Sequence, residues 1–367
     1  MKHALHSLIF LIFLPGALYA QDPIFSQYYT NKLYLNPALT GFEGGITVNT
    51  NYRNQWHRVD GRDAEFTTKA VGVDFDAPCL QSSFGLLYVD NLEGMGDLRR
   101  QRAGLSYAWR SRPEKNTGSK GFEVSFGMQG LYSWQSLNWN NLLFSDQLTA
   151  FGPTGGASGI DRPDNLGGGY FDFGAGTYLM WTDGEDRRLL IGAAFQHIVR
   201  IDPSLLAIED TLPIRTTVHG AYVWPITYGG NRKYELVPMF RLDLQRSSVA
   251  SIGNAFWYRS LQYGVAFNFV QKPGLWGGTW LRTRNGLPDR KNINSLIVAL
   301  GIEFGEGNDR SKSDNTYRFG LSYDYDMSGL RSDGGGTFEL SFVANFGKAR
   351  IIQCDSKSRI NRVCPKF

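Results

Sequence analysis

Histidine, cysteine and clustered glycine are the residues whose chemistry could define an activity here, and few stand in a useful arrangement. Five histidines are present. His3 and His6 belong to an N-terminal leader, which leaves His57, His197 and His219 for a hydrolase or a metal site. His57 follows a strand pattern near an expected aqueous rim, His197 ends one, and His219 lies on the inward face of another. None has a serine or an acid at a diagnostic spacing, so each reads as structural. Gly167, Gly168, Gly169 and Gly174 lead into a strand pattern where a phosphate loop would need a helix start. Residues 305–316 are acidic and polar but lack the residue order of a calcium loop, and read as a solvated extracellular loop. Cys354 and Cys364 are too far apart for a metal-binding pair. No catalytic, cofactor or metal site is expected, and the chain reads as non-enzymatic.

The elements around these residues are strands. Over 367 residues, 42% are apolar, 14% aromatic and 43 are glycine, a composition of many short strands and tight turns. Net charge is +4 with 20% charged residues, too even a balance for a nucleic-acid partner or a polybasic lipid-binding surface. Lys2 and His3 precede the apolar run Leu8 to Leu14, which Pro15-Gly16 breaks before Ala20; residues 1–20 read as a signal peptide. Past residue 20 no apolar run approaches the roughly 20 residues of a membrane-spanning helix. Alternation with period two runs through the remainder. Phe122, Val124, Phe126, Met128, Tyr132 and Trp134 share one face, and Glu123, Ser125, Gly127, Gln129 and Ser133 the other, with Leu131 the misfit. Phe171, Phe173, Ala175, Leu179 and Trp181 likewise alternate with Asp172, Gly174, Gly176 and Tyr178.

Such runs exceed the usual 5–6 residues of soluble strands and match the roughly 9–11 that cross a bilayer. Their apolar faces end in aromatic pairs such as Tyr52 and Trp56, Tyr107 and Trp109, Tyr132 and Trp134, and Tyr222 and Trp224, as interfacial girdles require. The sequence therefore predicts an all-β protein, a transmembrane antiparallel barrel. Fifteen runs are visible, and merging residues 251–269, where parity is continuous and no turn residue intervenes, gives 14 strands. The expected organisation is a signal peptide (1–20), an N-terminal periplasmic or plug segment (21–44), the barrel (45–346) and a periplasmic tail (347–367). With both termini periplasmic, residues 135–169 and 198–214 fall outside the cell and residues 182–186 on the periplasmic side. Inward Arg53, Asp172, Arg241, Asp243, Glu303, Arg318 and Asp324 suit either a watery pore or a cross-linked, closed lumen. A barrel phospholipase would further need a serine and a histidine on neighbouring strands at the lipid-facing side.

Ahead of the first strand, Phe25, Tyr28, Tyr29 and Leu33 follow helical spacing, and Asn36-Pro37 stops the helix. This opening, with Gln21-Asp22-Pro23, Phe25-Ser26-Gln27-Tyr28 and Leu35-Asn36-Pro37-Ala38, resembles the PorP/SprF family of outer-membrane proteins of the type IX secretion system of Bacteroidota. The likeness continues in Tyr52-Arg53-Asn54-Gln55-Trp56, Phe144-Ser145-Asp146-Gln147, Phe195-Gln196-His197, Tyr317 to Asp324 and Thr337-Phe338-Glu339-Leu340. It departs where Thr337 and Phe338 replace a serine and a histidine often found before the glutamate, so no histidine role is carried over there. The resemblance implies an outer-membrane component of secretion and gliding motility that retains exported adhesins, or docks the periplasmic motor ring. Its expected partners are outer-membrane lipid, exported proteins with a type IX sorting domain and periplasmic secretion or motor components. The alternative is a pore or transporter for small solutes. Phe25, Tyr28, Tyr29, Leu33, Asn36 and Pro37 are the candidate partner-binding residues, closing the periplasmic mouth or meeting a partner. The oxidising compartment predicts a disulfide between Cys354 and Cys364, with Cys79 either a free thiol or an alternative partner for the tail.

Overall fold

The computed structural model describes residues 22–56, 66–94, 96–111, 120–149, 152–156, 158–160, 162, 166–183, 187–199, 212–228, 231–246, 257–269, 273–285, 293–305, 315–327 and 334–347. The leader at 1–20, His57, residues 251–256, Cys354 and Cys364 lie outside them. Strands β1 (Ile46–Gln55), β2 (Phe66–Ala77), β3 (Ser82–Glu93), β4 (Leu98–Arg110) and β5 (Gly121–Ser136) come first. A two-stranded ribbon follows, β6 (Leu148–Thr149) and β7 (Gly152–Pro153). Strands β8 (Gly167–Thr182), β9 (Arg188–Gln196), β10 (Arg215–Tyr228), β11 (Asn231–Arg246) and β12 (Trp257–Phe269) continue the wall, and β13 (Gly274–Asn285), β14 (Ile293–Gly305), β15 (Asn315–Asp326) and β16 (Thr337–Phe346) complete it.

Leaving out the ribbon, neighbours in sequence pair antiparallel and β1 pairs with β16, so 14 strands close on themselves. The seam runs in register from Ile46 opposite Phe346 to Gln55 opposite Thr337. Closure matters because every backbone N–H and C=O in hydrocarbon must find a partner, and a cylinder has no open edge. An even strand number makes the seam antiparallel like every other pair. Among the described residues, no helix is long and apolar enough to cross a membrane; the strands do so instead.

The two faces follow the sequence pattern. On β1, Thr47, Asn49, Asn51 and Arg53 are buried inward, while Tyr52 faces out. Leu105, Phe122, Phe126, Met128 and Leu300 form part of an exposed apolar belt, with Leu105 at 66% exposure. So large a continuous apolar surface is a lipid-facing one. Exposed Trp109 and Trp224 lie toward the end at which β1 begins and β16 finishes, here the near end, and Tyr132 toward the opposite, far end. Arginine at position 105, near mid-strand, is therefore expected to cost about 2–4 kcal/mol in a bilayer. Urea unfolding of Leu105→Arg in liposomes measures this, and a neutral result would contradict the lipid assignment.

Loop placement corrects one expectation. The connection over residues 305–316 joins β14 to β15 at the near end, beside both Ile46 and Phe346, and not with the long connections at the far end. The longest connection, residues 137–166, carries the ribbon. Its Phe144-Ser145-Asp146-Gln147 element is a turn whose Asp146 carboxylate accepts from the Gly159 amide at 2.6 Å and from Ser158 Oγ at 2.8 Å. Those bonds, the Gly159 amide first, lower the Asp146 pKa. Cys79, in the near-end turn Pro78–Leu80, is disulfide-bonded, so of the two states expected for it the free thiol does not hold.

The occupied lumen as a candidate functional site

Inside this cylinder lies the chain's own N-terminal segment. Residues 22–44 bond to inward groups on strands all around the wall, from Asn49 and Asn51 on β1 to Glu339 on β16, which only a segment within the lumen can do. The segment runs from the far-end half, where Asp22 sits, to the near end, where it enters β1. Helical periodicity holds for one turn, Lys32–Leu35 (α1), followed by the 3-10 turn Pro37–Leu39. The expected single helical face is not formed. Ser26, Gln27 and Thr30 are engaged by hydrogen bonds to the wall or to a local turn, and the apolar side chains radiate to different sides.

Phe25 and Leu33 join Leu87, Val89 and Leu131 in one cluster, Tyr28 joins Leu39, Phe42 and Tyr178 in a second, and Tyr29 packs on a third around Trp276 and Trp280. Phe25 meets Tyr34 edge-on at 5.3 Å, and Tyr29 stacks on Trp280 at 5.5 Å. Leu131 and Tyr178, which broke or crowded the polar face in the sequence, are the wall's side of these contacts. An inward apolar residue is favourable where the lumen is filled by protein.

Asn36 and Pro37 anchor the middle. The Asn36 amide donates to the carbonyls of Thr177 at 3.0 Å and Ala193 at 3.3 Å, while Asn36 Oδ1 accepts from the Ala38 amide at 2.9 Å. His219 Nε2 lies 3.0 Å from Asn36 Nδ2. This turn rests directly on the wall because the wall is glycine there. A Cβ at Gly127 would come within 2.2 Å of the Ala38 amide nitrogen, and one at Gly176 within 2.0 Å of Asn36 Oδ1. The two glycines face each other across β5 and β8.

Ionic contacts hold both ends. Asp22 lies 2.5 Å from Arg102, 2.6 Å from His197 Nε2 and 3.3 Å from Arg215. His197 Nδ1 is 2.8 Å from Asp172, and Arg215 and Arg241 both hold Asp243. Farther along, Glu339 accepts from the amides of Ser26 at 2.7 Å and Gln27 at 3.0 Å. Asp324 accepts from Ser26 Oγ and Arg282. Arg53 approaches both carboxylates at 3.8–3.9 Å, and Arg318 pairs with Glu303 at 3.0 Å. At the near end Arg110 donates to the carbonyls of Thr40 and Gly41, and Lys32 pairs with Glu43. All seven inward charges named from sequence are thus ion-paired. Sequence reasoning missed the roles of Asp22, Arg102, Arg110 and Arg215, and gave none to His197 or Glu339, although Asp22, His197 and Glu339 stand in the elements that carry the resemblance.

Burial alone would raise the Asp22 pKa, but Arg102, His197 and Arg215 hold it well below its ordinary value. Burial would lower that of His197, yet Asp22 and Asp172 raise it from 6.5 to about 9. A raised folded-state value stabilises the seated segment fully below the unfolded value and is lost as pH rises through about 9. Protease cleavage within residues 22–44 is expected to increase between about pH 6.5 and 9 and to level off above that. His197→Gln is expected to raise cleavage at neutral pH and flatten that rise. The same slope in wild type and variant would contradict the assignment.

A closed 14-strand membrane barrel with an internal segment pinned by ion pairs is the class that fold and site define. The family described as type IX secretion system membrane protein PorP/SprF matches residues 17–343, and the chain belongs to that family. It is thereby a membrane component of type IX secretion, located in the outer membrane. No curated protein matches the sequence. Among solved structures, the chain is similar to a Pseudomonas aeruginosa FadL homologue at 12% identity, with 90% of this chain and 96% of that one covered and a TM-score of 0.47. It is also similar to the CymD monoaromatic hydrocarbon channel at 11% identity, with coverage of 86% and 91% and a TM-score of 0.43. CdiB from Acinetobacter baumannii matches at 10% identity over 82% of this chain and 60% of that one, with a TM-score of 0.42.

Proposed function

We propose that the chain is a non-enzymatic anchor that retains exported surface proteins bearing a type IX sorting domain and docks periplasmic secretion or motor components. The observation that carries this reading is the lumen occupied by residues 22–44 and cross-linked to the wall at both ends of the segment. A barrel filled in this way is a rigid platform, and a partner would be held by its rims and loops. The folded far-end connection around Asp146 supports the same reading, with the far end outside the cell and the near end in the periplasm. Phe25, Tyr28, Tyr29, Leu33, Asn36 and Pro37 are buried or half-buried while the segment is seated, so they serve a partner by keeping the platform closed.

Purification from outer membranes tests this. A stoichiometric exported protein or periplasmic motor protein is expected to accompany the barrel, and deletion of residues 24–36 is expected to reduce its retention. Conductance by the isolated barrel with no bound protein, or retention unaffected by the deletion, would overturn the reading in favour of a pore for small solutes.

A further inference from the structure

The outer wall of the barrel is not uniform. Across the closing seam, from β13 through β16 and β1 to β2, it carries a groove of about 750 Å³. Two adjacent rows of outward side chains form its ridges. Leu300, Leu321, Leu340, Tyr52 and Lys69 stand in register along one, and Ile302, Phe319, Phe342, Thr50 and Val71 along the other. The row between them points its side chains inward, so the floor is backbone. Six strands about 4.8 Å apart make the groove roughly 24 Å long. Strands tilted by about 40° incline such a row by about 40° to the membrane plane, so it climbs about 15 Å, one leaflet of a roughly 30 Å hydrocarbon core. The climb is toward the far end. Leu275, at one extremity, is beside the near-end start of β13, and Lys69, at the other, is close to the far-end start of β2.

Among the described residues lining the groove, Lys69 is the one charged side chain, and it is exposed. Its register neighbour Asp90 is already engaged, because Arg99 holds both carboxylate oxygens at 2.8 Å. The three side chains together leave one positive charge at the far-end lip. We infer that this groove is a binding site for one membrane phospholipid with an acidic headgroup, its acyl chain laid between the ridges and its phosphate at Lys69. Length and chemistry agree, since an apolar trough one leaflet deep that ends at a cation is complementary to an anionic amphiphile. A second copy of the barrel fits less well. Packed here it would desolvate Lys69 against a like surface that offers no counter-ion. The site is independent of the anchoring role, since it needs the closed barrel and no protein partner.

Native mass spectrometry of the complete mature barrel tests the inference, after release from nanodiscs holding equal phosphatidylglycerol and phosphatidylcholine with identical chains. One retained lipid per barrel is expected, phosphatidylglycerol about fivefold over phosphatidylcholine, the preference that one basic side chain near a membrane surface supplies. Lys69→Gln is expected to abolish that preference while a lipid is still retained, and Lys69→Arg to keep it. Thr50→Trp and Val71→Trp, made separately, are expected to fill the groove and reduce retention roughly tenfold or more. Ala175→Trp, on the outward face of β8, is expected to leave retention unchanged, with heat-modifiable migration confirming a folded barrel in each variant. No retained lipid on the wild type, a second barrel in its place, or retention that survives both filling variants in folded barrels would overturn the site. Equal retention of the two lipids by the wild type would overturn the role given to Lys69.

Discussion

Valine at position 127 is expected to expel residues 22–44 from the lumen while leaving the barrel closed. The added side chain would point at the Pro37-Ala38 backbone, where even a Cβ would fall within 2.3 Å of the Pro37 carbonyl carbon. Backbone held by its own hydrogen bonds cannot move aside as a flexible side chain can. Overpacking ordinarily costs about 1–3 kcal/mol, and a rigid neighbour places this case at or above the upper end. The strand itself loses nothing, since valine suits β5 better than glycine does. Protease added to proteoliposomes is expected to cut the Gly127→Val segment at least a hundredfold faster than wild type, while heat-modifiable migration persists. Gly130→Val is the control. That glycine belongs to the outer face, where a Cβ would meet only the Phe173 ring at 3.6 Å. Equal protection in the two variants would show that the segment is not seated on β5.

The other large effect is electrostatic. Asp22→Ala removes the carboxylate that Arg102 holds at 2.5 Å and that His197 and Arg215 share. Truncating one partner of a buried ion pair costs about 3–5 kcal/mol, because the remaining charge stays desolvated. Asp172 and Asp243 still neutralise His197 and Arg215, so the expected cost is about 3 kcal/mol, the lower end of that range. That shifts the ratio of seated to released segment by about two orders of magnitude. Asp22→Ala with Arg102→Leu removes both charges and is expected to recover most of the loss. If the double variant is no better than the single one, the Arg102 pairing is not what holds the segment's far-end start.

The barrel was legible because period two is a local property of the chain. All 14 strands follow from residues a few positions apart, and the merge across Arg259-Ser260 holds in the described part, where β12 runs unbroken from Trp257 to Phe269. The polar, glycine-rich inner face was equally readable as a face. How the segment over residues 21–44 seats on it was not, because the contacts join residues far apart: Ser26 to Glu339 spans 313 positions and Asn36 to His219 spans 183. Leu131 and Tyr178 recorded the plug indirectly, as residues out of place on an otherwise hydrophilic wall. Helical spacing misled over residues 25–31, since wall hydrogen bonds to Ser26 and Gln27 outcompete a helix too short to stabilise itself. The cysteines illustrate the same limit. Nothing beside Cys79 in the sequence shows that it is disulfide-bonded, since a disulfide partner is set by the fold.

Residue-resolved amide exchange of the mature protein in outer-membrane lipid is the most direct test of a barrel filled by its own N-terminal segment. The amides of Ser26 and Gln27, which donate to Glu339, and of Ala38 and Gly41, bonded to Asn36 and Asp74, are expected to exchange as slowly as those of β1 and β16. Exchange of these four at the rate of an exposed loop, with the strands still protected, would mean that the lumen is open and that the segment lies elsewhere.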